Sequence, residues 1–351
     1  MSYRLVPYTK ELESAAKRAN IRFGRSGAMP FLLPDHAAPS GAAGPVRRQH
    51  WLVVDSDDEV RGGCLLQSVP GWVDGEEADV VNVQSPLSEG LADRRYAGLA
   101  PWLVRELVRR HPFSYSVGMG GEHMPYPRLL RALGWRVEPV PFYFRVLDGR
   151  LFLANMQLLR RNPRLGWLAA AGGAVPLLPD AAFALLHAWR TRDSTHAATA
   201  WQNAPEWTVL RSRYGFAMDR TPMILDALYP PGDHNFVRLH IPGAAGVLRV
   251  SALRGHAYFG NLVVATLVEA FCLPGAERAL LQATVEEARS MGAGLLVTNQ
   301  TAPELRQALE SAGWLSYPSN YLLAVSLALA ARVGGQPVYV NRGDGDGLLS
   351  L

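Results

Sequence analysis

Six consecutive residues of this chain, Arg95-Tyr96-Ala97-Gly98-Leu99-Ala100, have the types and spacing to hold an anion. They follow an apolar run suited to a strand and open a helical run, Pro101 to Arg110. A small-residue turn at the start of a helix lets backbone N–H groups approach an anion closely. The helix dipole favours negative charge there, and a preceding arginine adds a forked cation. Such a turn suits a diphosphate. Cys64 and Cys272 stand alone in apolar surroundings and set out neither a metal site nor a disulfide, so no metal is expected. The acidic, Gly-rich stretch Gly343-Asp344-Gly345-Asp346-Gly347 lacks the ligand spacing of a calcium loop and reads as disordered.

At 351 residues the chain exceeds the usual size of one core, and two domains are expected. Hydrophobic content of 48% with 19% charged residues is that of a soluble globular protein. The net charge of +4 is carried by arginine, with Lys10 and Lys17 the only lysines. No basic run with interleaved aromatics is present, so no nucleic-acid partner is expected. The first residues lack the apolar core of a signal peptide, and a cytoplasmic location follows. One apolar stretch, Leu165 to Leu178, follows Arg160, Arg161 and Arg164 but is too short for the roughly 20 residues of a membrane span. It reads as an interdomain connection. The alternative is a basic-flanked hairpin over 165–189 resting on a membrane surface.

The elements that must position the anion turn are mixed. A Gly/Pro/Ala-rich loop over 24–50 precedes a hairpin, Trp51–Val54 and Gly62–Gln67, around Asp55–Glu59. A strand at Val69–Val73, another at Ala78–Val83, the helix Ala100–Arg110 and a short strand Phe113–Val117 follow. Gly118-Met119-Gly120-Gly121 breaks that strand, a helix Pro127–Leu133 stops at Gly134, and a strand Val137–Leu147 closes the unit. The second half repeats the order: strands at 236–241, 246–253 and 258–268, a helix 276–291, a strand 294–297, a helix 304–312 ended by Gly313, and a closing strand 321–327. Moving from Gly134-Trp135 to Gly313-Trp314 also carries Pro139 onto Pro318 and Asn82 onto Asn261. The fold class is α/β (α+β), with two mixed-sheet domains.

This pattern resembles the GNAT acyltransferase superfamily, duplicated in tandem, well over 50–147 and more loosely over 206–327. Arg95, Gly98 and Ala100 occupy the defined positions of that family's diphosphate loop, and Gly134-Trp135 matches its usual helix end. The resemblance implies acetyl-CoA or another acyl-CoA held by Arg95 to Ala100, namely Arg95, Tyr96, Ala97, Gly98, Leu99 and Ala100. The pantetheine arm would lie along Asn82, Val83, Gln84 and Ser85, beside Ser116 to Gly118. It also implies a general acid, a tyrosine four residues before the Gly, but Leu130 stands there; Tyr126 or His123 is the substitute. Glu89 and Glu122 are the candidate bases. In the second half Pro274 and Glu277 replace the loop's Arg and Gly, so that half is expected to bind no cofactor.

Domains are thus expected at 1–150, with a linker 151–205, a degenerate second domain 206–330 and a flexible tail 331–351. The implied activity is N-acylation of a small-molecule amine, such as an amino sugar. Trp207 to Tyr214, followed by Pro222, resembles a segment of tandem members linked to cell-surface polysaccharide synthesis. The alternatives are a transferase taking its acyl group from charged tRNA, which would not need the anion loop, and a non-catalytic subunit of a polysaccharide assembly.

Overall fold

The computed structural model describes residues 2–25, 44–157 and 207–345. The apolar 165–189 segment and the end of the acidic tail lie outside the described residues. The chain divides into two compact α/β units, and their borders do not follow halves of the sequence. Unit 1 holds Met1–Pro139, Gly215–Leu228 and Asn320–Gln336; unit 2 holds Val140–Tyr214, Tyr229–Ser319 and Pro337–Leu351.

Unit 1 is built from strands β1 (Arg4–Pro7), β2 (Arg47–Val54), β3 (Val60–Val73), β4 (Glu76–Ser88), β5 (Ser114–Gly118), β6 (Arg136–Pro139), β8 (Phe216–Met218) and β14 (Leu322–Val325). Its helices are α1 (Glu13–Arg25), α2 (Leu99–Arg110), α3 (Pro125–Ala132), α6 (Pro222–Leu228) and α9 (Leu327–Val333). The sheet order is β1-β2-β3-β4-β5-β14-β6, with β8 on the far end of β3. Only β4–β5 is parallel. Alternation along the strands sends residues to opposite faces. Val53, Leu66, Val81 and Val83 bury against Leu99, Leu103 and Leu107 of α2, while Leu52, Val54 and Val60 bury against Ala15, Ala16, Ala19 and Phe23 of α1.

Unit 2 holds β7 (Phe142–Val146), β9 (Phe236–Ile241), β10 (Ala244–Ala252), β11 (Val263–Cys272), β12 (Leu295–Asn299), β13 (Leu315–Tyr317) and β15 (Val338–Tyr339). Its helices are α4 (Gly149–Asn155), α5 (Trp207–Arg211), α7 (Glu277–Ser290) and α8 (Pro303–Ser311). Its sheet runs β13-β7-β12-β11-β10-β9, with β11–β12 parallel.

α3 of unit 1 and α8 of unit 2 end in the same way. Gly134 and Gly313 take φ of 85° and 77°, and the N–H groups of Trp135 and Trp314 reach back 3.0 Å to the carbonyls of Leu130 and Leu309. That is the glycine-ended helix stop, with each indole buried beneath it. The expected closing strand 137–147 is two strands in two sheets. Pro139 and Pro141 lack N–H donors, so the ladder of β6 cannot run on, and β7 instead pairs with β12 and β13. The other expected closing strand, 321–327, is β14, which lies between β5 and β6 in unit 1. Each sheet therefore takes an interior strand from the other half of the sequence. Nor is 331–345 a loose tail. It contains the end of α9, β15 and a turn over Arg342–Asp344 capped by Asn341, with Gly343 and Asp344 buried. A Cβ on Gly343 would overlap the Tyr229 hydroxyl.

The strand exchange makes the first half incomplete alone. A chain ended at residue 205 leaves β5 and β6 with unpaired edges and should be recovered in the insoluble fraction. Coexpression with 206–351 should restore a soluble complex. A soluble 1–205 fragment with a cooperative thermal melt would contradict this.

Candidate active site

The site begins where two strands part. β4 and β5 pair only at Val81–Ser114 and Asn82–Tyr115. Past that point β4 continues to Ser88, longer than expected from sequence, and carries a bulge. Gln84 faces Leu65 and Leu87 faces Gly63, so Ser85 and Pro86 together oppose Cys64. Ser85 takes φ of +46°, a costly conformation for a non-glycine residue and doubly so before proline. The hydroxyl of Ser116 on β5 reaches across the gap and donates to the Val83 carbonyl at 2.8 Å. The Tyr126 hydroxyl of α3 lies 3.0 Å from the same Ser116 oxygen. Because Ser116 has given its proton to Val83, Tyr126 is the donor in that second bond. Burial pushes the Tyr126 phenol well up, with the Ser116 contact opposing, so it holds its proton at neutral pH.

A cleft of about 90 Å³ opens beside this pair, between the end of β4 (Pro86, Leu87), α2 (Ala100, Leu103) and α3 (Tyr126, Leu129). At its rim Gly98 caps α2 without a side-chain hydrogen bond, and the first turn carries no acidic residue. A Cβ on Gly98 would have no neighbour within 4 Å, so the helix start is open. The loop before it is anchored from below. Tyr96 is buried, and the Arg61 guanidinium sits 4.9 Å from its ring centre.

The residues singled out from sequence separate clearly. Val83, Gln84, Ser85 and Tyr126 meet at the splay, with Asn82 at its last paired position. Gly98, Leu99 and Ala100 form the open helix start. Arg95 lies beside it, but its fork is occupied by Asp93 at 2.6 and 2.9 Å. Glu122 and His123 are exposed, and Glu122 pairs with Arg131 at 2.9 Å. Leu130 is fully buried against Val104 and Trp135. Glu89 is no free base. Its buried carboxylate is held by Arg22 at 3.0 Å and Arg61 at 3.2 Å. The sequence places Ser116 only beside the pantetheine arm and does not show its bond to Val83. It also leaves out the bulge, for which the Ser85-Pro86 pair was a signal.

The corresponding region of unit 2 keeps the architecture but is filled. The Thr298 hydroxyl donates to Leu267 at 2.9 Å, as Ser116 does to Val83, and β11 has its own bulge at Val268. Counting back from the glycine-ended helices, however, Leu305 stands where Tyr126 does. The matching space has no room for a water and is closed by the rings of Trp207, Tyr214 and Tyr339. The Glu277 carboxylate accepts the Gly275 N–H at 2.8 Å, placing negative charge at the start of α7.

No protein-family model matches the chain, and no curated protein sequence does. Solved structures with a similar course include a GCN5-related N-acetyltransferase from Kribbella flavida (14% identity, 92% of this chain and 70% of that one, TM-score 0.48). Another is such a protein from Anabaena variabilis (10%, 92% and 72%, 0.47). A third is Saccharomyces cerevisiae N-myristoyltransferase with bound myristoyl-CoA (12%, 93% and 78%, 0.47). At this identity and overlap the likeness carries no argument about activity.

Glu89→Gln should lower stability by about 3 kcal/mol in denaturant unfolding, because Arg22 and Arg61 lose a buried partner. A variant as stable as the parent would show that the pair is not structural. Acid should act on the same network and on Glu106 of α2. Burial opposes charge on Asp55, but bonds from Arg61 and the Glu59 and Asp57 amides hold its pKa low. Glu59 is lowered chiefly by Arg18, and Glu106 to about 2 by Arg109 and Arg110. Carboxylates depressed in the folded state stabilise it above their unfolded pKa, roughly 4, and this is lost as pH falls through the lower folded values. Melting temperature should therefore hold from pH 7 to 5 and drop below about 4.

Proposed function

We propose that unit 1 is the site of an acyl-CoA-dependent N-acyltransferase acting on a small-molecule amine. The observation that carries this reading is the parting of β4 from β5 after two residue pairs, with the Tyr126–Ser116–Val83 relay at its apex and an open helix start at the far end of the cleft. The fit to an acyl-CoA is by chemistry. The uncapped start of α2 suits a diphosphate, the apolar cleft suits a pantetheine arm, and the unpaired edge of β4 suits its amide groups. When bound, the acyl-CoA supplies a thioester, whose carbon an unprotonated amine can attack.

The chain's own residues then have limited work. The β4 edge beyond Val83 fixes the donor's amides and offers backbone N–H groups where negative charge develops on oxygen. Tyr126 holds a proton at its hydroxyl and can turn it from Ser116 to a departing thiolate. The amine's surplus proton passes to water, since no carboxylate lines the cleft among the described residues. Glu89 is thereby removed from the candidate bases. Unit 2, with its region filled, is assigned a structural role.

Calorimetry with CoA and acetyl-CoA tests this directly, and no binding of either would end the proposal. Gly98→Glu places a carboxylate at the open helix start without meeting any neighbour. It should abolish CoA binding while leaving the melting temperature unchanged. Tyr126→Phe should bind CoA normally and lose about 10²-fold or more in kcat.

A further inference from the structure

We infer that Arg61 is the positioning residue of the donor site: it fixes the loop that leads into the open start of α2, and so sets the affinity for the diphosphate of an acyl-CoA. The inference deepens the proposed donor site and rests on it. On β3, Gly62 pairs with Val53 and Val60 with Val54, so Arg61 has no partner on β2 and forms a second bulge. A bulge re-aims the side chain it carries, and this one is turned to three partners. The Arg61 Nε donates to the Asp55 carboxylate at 2.6 Å and its Nη1 to Glu89 at 3.2 Å, while the guanidinium stands 4.9 Å from the Tyr96 ring centre. Glu89 and Tyr96 are the two ends of the loop between β4 and α2. One cation, its side chain only 16% exposed, thus holds both.

Between those ends the loop is knit by its own backbone. The Glu89 carbonyl accepts the Ala92 and Asp93 N–H groups at 2.9 Å, and the Asp93 carbonyl accepts that of Tyr96 at 3.0 Å. Gly90 lies directly against the Tyr96 carbonyl, where a Cβ would overlap it. The loop therefore moves as a unit, and its attachments decide where α2 begins. Among the described residues, its side-chain hydrogen bonds to the sheet are those of Arg61; Arg22 of α1 holds Glu89 alone, at 3.0 Å. Arg95 reaches the Tyr96 ring from the other side at 5.8 Å, but it belongs to the loop and moves with it. Tyr96 stands two residues before Gly98, so a shift of its ring is passed to the first N–H groups of α2. A displacement of about 1 Å in a positioned group costs on the order of 10²-fold.

The test uses the full chain, with calorimetry against CoA and amide hydrogen exchange in its absence. Arg61→Met keeps the length of the side chain and loses its charge and fork. Its Kd for CoA should rise about tenfold or more. Exchange should quicken over residues 89–100, while β5 and α3 keep the protection of the parent. Arg61→Lys can reach one carboxylate but not both and the ring, so it should show the same pattern with a rise of about threefold. It decides the matter if Arg61→Met is recovered insoluble. Unchanged CoA affinity in a folded variant overturns the inference, and the donor site still stands. So does weaker affinity without faster exchange over 89–100, which makes the charge of Arg61 itself the cause. Faster exchange spread through β5 and α3 also overturns it, because that marks a general loss of stability. Failure of the parent to bind CoA overturns the donor site, and the assignment of Arg61 with it.

Discussion

The structure of the site depends on one interrupted ladder. Two parallel strands in the middle of a sheet ordinarily stay paired, because every backbone N–H and C=O left unpaired in the interior costs free energy. Here β4 and β5 stop pairing after Asn82, and the reason lies on the other side of β4. The Ser85–Pro86 bulge, with Ser85 held at positive φ, turns β4 relative to its neighbour β3 and re-aims everything beyond it. One hydroxyl, that of Ser116, spans the opening and stops it from collapsing or widening. The rest of the cleft follows from that gap.

The two units show two ways of satisfying such a gap. Unit 2 has the bulge and the bridging hydroxyl, Thr298 on Leu267, yet its own chain fills what lies beyond. Trp207 and Tyr214 come from the segment after the undescribed residues, and Tyr339 comes from the C-terminal stretch. Asn341 donates a hydrogen bond to the buried Glu269 carboxylate. Unit 1 has no such filler among the described residues, and its cleft of about 90 Å³ stays open. Two similar gaps are thus treated differently, one closed by the chain itself and the other open among the described residues.

How far the sequence foretold this varies by the range of the interaction. Local signals were read correctly: α2 and α3 from their periodicity, and the glycine-ended helices from Gly134-Trp135 and Gly313-Trp314. The hairpin at Asp55–Glu59 is also where its turn residues put it. Long-range choices were not legible. Val137 to Leu147 is apolar enough to be one strand, and only the paired prolines at 139 and 141 hinted at a break; which sheet would receive β7 depends on partners at least 149 residues away. Glu89 illustrates the same limit. Its type suggested a base, but its role is set by Arg22 and Arg61, which sequence spacing does not connect to it.

The position of Tyr126 can be understood from helix geometry alone. Leu130 lies one turn further along α3 on the same face, and in this chain it is fully committed to the core between Val104, Trp135 and Ala324. A hydroxyl at position 130 would need a buried partner there, and the backbone around it is already engaged in ending the helix. One turn earlier the helix has just begun, Pro125 fixes its first residue, and the side chain faces the gap instead of the core. The phenol at 126 therefore reaches Ser116 at the apex of the splay, where a proton donor is useful and where the hydrogen-bond chain to Val83 fixes its direction. Positions 126 and 130 thus share a face of α3, with the phenol at the gap and the leucine in the core.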